Sequence, residues 1–439
     1  MKKNFTLLFI TCMLLGAQAI NAQTSITKLQ WEQLASMNTA RMECNMFPSG
    51  NNFVIIGGHT TGFSRERSAE IYKNGVWTTL GTPHDVHDSG GSVTLDDGRT
   101  LIFGGHQGNW GTNGGVTGVD VYDPATESFT NGGTIQGRAM ANGVCIGGKA
   151  YIVGDYWCAY RGYNPQAIDV WNDGTVSTTD NPQKNYSYPY LMPKSDNSAF
   201  LIMSHFVYDY KSALEKLTIA DGTISSVTMS VFDTWAPTVL AASISTPQYS
   251  IGNGCYLVAC KDRTSNDKWA VVKVDADNET ADVLVELPTT VNDQGITWNN
   301  GCDLLVNQKK GEAYVMTSFK NDDNDLFSYY IATIDYAQGT ITGLAYADDL
   351  PARGGNAGVA VMSDGRILSA GGGTSDNFSA HKNVFAFTPA GGTANIETVP
   401  YNTSASSAVY NLNGQQLQRA HKGLNIIRTA EKTRKIIVK

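Results

Sequence analysis

Val54-Ile55-Ile56-Gly57-Gly58-His59 and, 47 positions later, Leu101-Ile102-Phe103-Gly104-Gly105-His106 are two copies of one pattern, a short apolar run halted by paired glycines. Each leads to an alternating strand and then an aromatic residue: Ala69-Glu70-Ile71-Tyr72 before Trp77, and Val119-Asp120-Val121-Tyr122-Asp123-Pro124 before Phe129. A third copy, Asp364-Gly365-Arg366-Ile367-Leu368-Ser369-Ala370-Gly371-Gly372, matches Asp97-Gly98-Arg99 and the run that follows it. One such unit of about 50 residues cannot bury its own apolar face, so units of this kind stack side by side as the sheets of a propeller. Helical periodicity is almost absent, whereas strand-like alternation punctuated by Gly, Asn and Asp recurs throughout.

Aligned on the apolar run, the chain divides into seven units, beginning near Arg41, His87, Arg138, Tyr186, Thr238, Gly295 and Arg353. Units four to six have lost the glycines, ending in Ile202-Met203-Ser204, Leu257-Val258-Ala259 and Val315-Met316-Thr317, yet each keeps the alternating strand that follows. The seventh unit stops after Val384-Phe385-Ala386-Phe387, one strand short. Trp31-Glu32-Gln33-Leu34, near the other end, copies Trp77-Thr78-Thr79-Leu80. An N-terminal strand completing the last blade would close the ring and leave only short, protected edges. The expected fold is therefore all-β: a seven-bladed β-propeller over residues 23–390, closed by an N-terminal strand, with a small C-terminal β appendage over residues 391–439.

Composition narrows the setting. Residues 1–22 combine Lys2 and Lys3, an apolar core from Leu7 to Leu15 and small residues through Ala22, the pattern of a cleaved secretory signal. The core is too short to span a bilayer and no other run of its kind occurs, so the expectation is an exported chain (periplasmic, cell-surface or extracellular) with no transmembrane span. Six cysteines remain after Ala22, widely scattered. Cys255 and Cys260 are five extended steps apart, beyond disulfide reach, so buried free thiols are expected. After Ala22 the chain carries 30 Lys and Arg against 40 Asp and Glu, a net charge of −10. The segment from Gly391 onward is +5 and the body −15, a balance that repels phosphate backbones and argues against nucleic acid.

The apolar strand into Gly-Gly, the Tyr before a turn and the later Trp or Phe make residues 28–390 resemble kelch-repeat propellers, most clearly in units one, two and seven. That resemblance implies the propeller fold. The superfamily includes galactose oxidase-like enzymes, sialic-acid mutarotases and non-catalytic binding modules, and fold alone does not choose among them. In such rings the loops after second strands and those leading into first strands crowd one face around the central channel. Six of the seven histidines map to those loops, all but His421. The ligand-binding candidates are His59, Arg65, Trp110, Tyr156, Trp157, Arg161, His205 and His381, since aromatic faces and charged donors together suit a sugar. The candidates for acid–base catalysis are Arg67, His87, Asp88 and His106. Because His59 and His106 directly follow a repeated Gly-Gly, a structural role bonding the neighbouring blade is their alternative reading.

No cofactor and no metal is expected. His84, Asp85, His87 and Asp88 in one turn are weak evidence for a metal site without a helix to align them, and Asn321-Asp322-Asp323-Asn324-Asp325 lacks the spacing of a calcium loop. The resemblance to galactose oxidases places a copper-binding Tyr or His just ahead of a first strand. The positions aligned with it here are Asn356, Ser89 and Arg41, none of which replaces an imidazole or phenolate on copper. The basic tail, with Ala408 to Leu417, Lys422 to Ile427 and Arg434 to Lys439, suggests three strands with a hairpin at Asn413-Gly414. It resembles the C-terminal sorting tails of the type IX secretion route, in a shortened form. The functional expectation is an exported propeller binding a glycan or other extracellular ligand, a protein partner included, on its histidine-rich face without catalysis. The alternative is a carbohydrate-active enzyme of kelch type, a mutarotase or lyase, less readily a copper oxidase.

Overall fold

The computed structural model describes residues 26–106, 115–154, 168–178, 187–204, 214–218, 223–238, 246–265, 268–291, 294–295, 298, 303–320, 326–351, 356–374, 379–391, 408–410, 416–417, 423–428 and 433–438. It is nearly all β. Among these residues six sheets each take their principal strands from one continuous stretch of chain, and a further sheet is shared between the two ends. The first blade comprises Asn45–Ser49, Asn52–Ile56, Ala69–Lys73 and Val76–Thr79, the second Gly91–Thr94, Thr100–Phe103, Val116–Asp123 and Ser128–Arg138. The third runs from Asn142–Ile146 to Thr175–Thr178 and the fourth from Ser187–Pro193 to Thr223–Val227. In the fifth the first strand is split: Trp235–Pro237 and Ser250–Gly252 pair with opposite ends of Cys255–Asp262. The sixth, Asp303–Asn307 to Thr340–Pro351, precedes the shared sheet of Gly358–Val361, Ile367–Ala370, Val384–Thr388 and Gln30–Gln33.

The shared sheet realises the expected closure, with Trp31 opposite Phe387 and Gln33 opposite Phe385. Trp31 also sets its ring edge-on to Phe385 at 5.8 Å. One pairing has no sequence precedent. Ile26–Lys28 lies parallel to Leu344–Tyr346, a fifth strand on the outer edge of the sixth blade. The N-terminal segment therefore clasps two blades in succession.

The paired glycines have a physical explanation at the blade junctions. The N–H of Gly58 donates to the carbonyl of His87, that of Gly105 to Arg138 and that of Gly372 to Arg41, each bond joining one blade to the next. The glycine before each has a positive φ, +70° at Gly57, +65° at Gly104 and +72° at Gly371. A Cβ there would stand 2.4 to 2.6 Å from the same neighbouring carbonyl. Left-handed backbone and close approach together demand glycine.

Behind each junction sits a buried ion pair in equivalent positions. Arg41 pairs with Glu70, His87 with Asp120 and Arg138 with Asp169, at 2.8 to 3.0 Å, with all six side chains fully buried. Arg41, His87 and Arg138 each also donate to the carbonyl of their own blade's first glycine, Gly57, Gly104 or Gly154. Both nitrogens of His87 face acceptors, so it does in the second blade what arginine does in its neighbours. Packing between blades is aromatic as well, with Tyr122 against Phe47 at 5.5 Å and Tyr329 stacked on Phe387 at 5.3 Å. The described cysteines, Cys44, Cys145, Cys255 and Cys260, are free thiols.

The chain divides into two compact units, 1–390 and 391–439. Within the second, the order Gln416–Leu417, Ala408–Tyr410, Gly423–Arg428, Thr433–Val438 forms a single antiparallel sheet. Among the described residues it has four strands rather than the expected three, because Gln416–Leu417 pairs antiparallel with Ala408–Tyr410; Asn413-Gly414 lies outside the described residues.

Candidate functional site

Two residues before the first strand of four blades the backbone turns left-handed, at Glu43 (φ 54°), Ser89 (φ 53°), Met140 (φ 58°) and Asn356 (φ 61°). These four residues, from the first, second, third and seventh blades, form a chain of hydrogen bonds: Glu43 N–H to the Asn356 carbonyl, Ser89 to Glu43, Met140 to Ser89. Left-handed backbone at a residue with a side chain costs about 1–2 kcal/mol. The repeated bond from blade to blade holds it. Register corrects one sequence alignment here: the first-blade counterpart of Asn356 and Ser89 is Glu43, whereas Arg41 corresponds to His87 and Arg138.

On this arc stands a cluster that includes Glu43, His59, Arg65 and Asp88. His59 and Arg65 face each other across a small hairpin, His59–Thr60 with Ser64–Arg65, which continues directly from Gly57-Gly58. His59 Nδ1 lies 2.8 Å from Asp88 Oδ1 and 4.0 Å from Glu43 Oε2. Arg65 Nε lies 3.6 Å from Asp88 Oδ2 and donates to the His106 carbonyl at 2.9 Å. Ser89 Oγ donates to Glu43 Oε2, and Asn356 Nδ2 to Glu43 Oε1 at 3.1 Å. His59 is completely buried and Asp88 nearly so, Glu43 and Arg65 are about 15% exposed, and Asn356 is exposed. Phe63 lies over the His59 ring with centroids 5.0 Å apart.

Electrostatics follow from this crowding. Burial, and then the neighbouring Asp88, push the Glu43 carboxyl above the usual range. For His59, burial opposes the charged form, but the bond to Asp88 and the charge of Glu43 outweigh it and leave the imidazole above its ordinary value. Proton and charge are thus shared between two carboxylates and an imidazole, beside a guanidinium.

Of the expected site residues, His59, Arg65, Asp88 and His106 come together here. His106 contributes through its backbone, its N–H donating to the Asp88 carbonyl at 2.7 Å. His87 turns the other way into its ion pair with Asp120, where the half-exposed His84 joins it at 2.8 Å. His84, His87 and Asp88 therefore share no centre. Arg67 clasps the same turn by donating to the carbonyls of Pro83, at 2.8 Å, and His84. His381 lies at the junction of seventh and first blades, its carbonyl accepting from the Arg41 N–H at 3.1 Å, and burial lowers its affinity for a proton. Trp110, Tyr156, Trp157, Arg161 and His205 lie outside the described residues, as does the Asn321–Asp325 run. Glu43 was missed in the sequence, where only its distance from the strand that follows could have marked it.

No family model matches the chain, and no curated protein matches its sequence. Among solved structures it is similar to one described as a "novel fungal alcohol oxidase with catalytic diversity among the AA5 family, in complex with copper". The TM-score is 0.57 and the identity 14%, over 83% of this chain and 77% of that one. A second similar structure is described as YjhT, with a TM-score of 0.43 and 14% identity over 81% of this chain and 99% of that one. The fold is a kelch-like β-propeller. At this identity the likeness is one of fold alone.

Proposed function

We propose that the protein is an exported propeller that binds a carbohydrate on the face bearing Glu43, Arg65 and Asn356. The observation that carries this reading is convergence. Two adjoining blades, the first and the seventh, send polar groups that reach the surface to one place, and buried partners from the second fix two of them: Ser89 for Glu43 and the carbonyl of His106 for Arg65. A carboxylate, a guanidinium and an amide so arranged offer both acceptors and donors to sugar hydroxyls, while Phe63 offers an aromatic ring. Strain stored at Glu43, Ser89 and Asn356 accords with a functional position. Glycan-array screening of the mature chain, followed by titration of an Asn356→Ala variant, tests this. Binding should weaken about tenfold with the melting temperature unchanged, and a wild-type protein that captures no carbohydrate sinks the reading.

The His59–Asp88 pair favours catalysis on a carbohydrate as the second reading, because a hydrogen-bonded imidazole and carboxylate suit proton transfer. In this reading Asp88 keeps the role assigned from sequence, whereas His87 and Arg67 serve the fold. A change in the anomeric ratio of a free sugar, followed by NMR, would distinguish it. Copper chemistry of the kind named for the fungal neighbour does not fit, since Glu43, Ser89 and Asn356 supply no phenolate or imidazole. The C-terminal sheet we assign to sorting or anchoring, on its composition and basic charge.

A further inference from the structure

We propose that Glu43, His59 and Asp88 together bind a first-row divalent cation, with zinc or manganese as the natural probes. One oxygen from each carboxylate and one imidazole nitrogen lie within 4.8 Å of one another. Ligands on a tetrahedral zinc stand about 3.3 Å apart, given bonds of about 2.0–2.1 Å. The observed separations from His59 Nδ1, 2.8 Å to Asp88 and 4.0 Å to Glu43, bracket that value. A small outward shift of Asp88 and an inward one of Glu43 would seat an ion.

Two further features point to a ligand. The first is the support around the three groups. Ser89 and Asn356 orient the Glu43 carboxylate, and Arg65 lies beside Oδ2 of Asp88, leaving Oδ1 turned to the imidazole. Metal ligands are commonly fixed by such outer partners. The second is burial: His59 is completely buried and Asp88 nearly so, while Nδ1 of His59 is the nitrogen turned to both carboxylates. Buried charges are normally paired or coordinate metals. Once His59 gives up its proton to act as a ligand, two carboxylates beside a single guanidinium leave negative charge that a divalent ion would balance. One imidazole nitrogen with two carboxylate oxygens suits a borderline cation, whereas soft copper(I) favours sulfur and calcium favours all-oxygen cages. Three protein ligands leave at least one coordination position open.

This inference stands apart from the carbohydrate reading, and its test uses the metal alone. The full mature chain, stripped with a chelator, is titrated calorimetrically with zinc chloride and separately with manganese chloride. One equivalent of at least one ion should bind, and the melting temperature should rise with ion concentration. Asp88→Asn and Glu43→Gln should each weaken uptake at least tenfold. Should Asp88→Asn fail to fold, the partly exposed Glu43→Gln decides. Absence of stoichiometric uptake of either ion, or uptake unchanged in the folded variants, would overturn the assignment.

Discussion

At the residue scale, the two glycines of the repeat and the ion pair behind them account for each other. Gly57 must be glycine on two counts, its φ of +70° and the neighbouring carbonyl 2.4 Å from where a Cβ would stand, whereas Gly50 meets only the first. Gly50→Ala should therefore cost about 1–2 kcal/mol, the left-handed penalty alone. Gly57→Ala should cost at least about 2 kcal/mol more, and equal losses in urea denaturation would contradict this account. The His87–Asp120 pair predicts an acid limb. Burial alone would raise the Asp120 carboxyl, but the bonds from His87 and His84 outweigh it and hold it below its ordinary value. A carboxyl depressed in the folded state contributes stability above its unfolded value of about 4, and that contribution is lost as pH falls through the folded value. Asp120→Asn should flatten the decline below about pH 4. It should also lower stability at pH 7 by about 1–3 kcal/mol, since it removes a buried carboxylate that accepts from the backbone of His84 and Asp85 and bonds both imidazoles. Thermal melts from pH 2 to 7 on both proteins check both expectations.

At the element scale, the parts of the fold legible in sequence were those that repeat. The glycine pair and the closing strand could be read because each has a copy elsewhere in the chain against which to be recognised: Trp31-Glu32-Gln33-Leu34 beside Trp77-Thr78-Thr79-Leu80. Ile26–Lys28 had no copy, and its parallel partner lies more than 300 residues away without a turn to announce it. Glu43 was illegible for a related reason, since its position depends on a left-handed backbone and on Asn356, 313 residues distant. His87 misled because histidine is more often chemical than structural in a loop. Its equivalence to Arg41 and Arg138 emerges only when the strands are in register. The double clasp carries its own expectation. Deleting residues 23–38 should expose the edges of Thr340–Pro351 and Val384–Thr388 together, causing aggregation or a large loss of thermal stability. A truncated chain that melts like the parent would remove the clasp from the account.

At the scale of the whole molecule, the chain divides into two compact units, residues 1–390 and 391–439. A chain ending at Ala390 should consequently keep the melting temperature of the full protein and any carbohydrate binding. A fall of more than a few degrees would show that the two halves share stability. The candidate site was less legible than the fold: of the expected residues only His59, Arg65, Asp88 and His106 meet, and separating Asp88 and His59 from His87 and Arg67 required geometry.

The sheet shared by the two chain ends also sets an order of events. Its edge cannot be completed until Phe387 has been synthesised, more than 350 residues after Trp31. Closing a loop of this length costs roughly 5 kcal/mol in chain entropy, a cost met before the final contacts repay it. Stable folding is thereby deferred until the chain has been made as far as Phe387, and the refolding rate should respond to substitution at Trp31 far more than to substitution at Trp77, whose strand partners lie within its own blade.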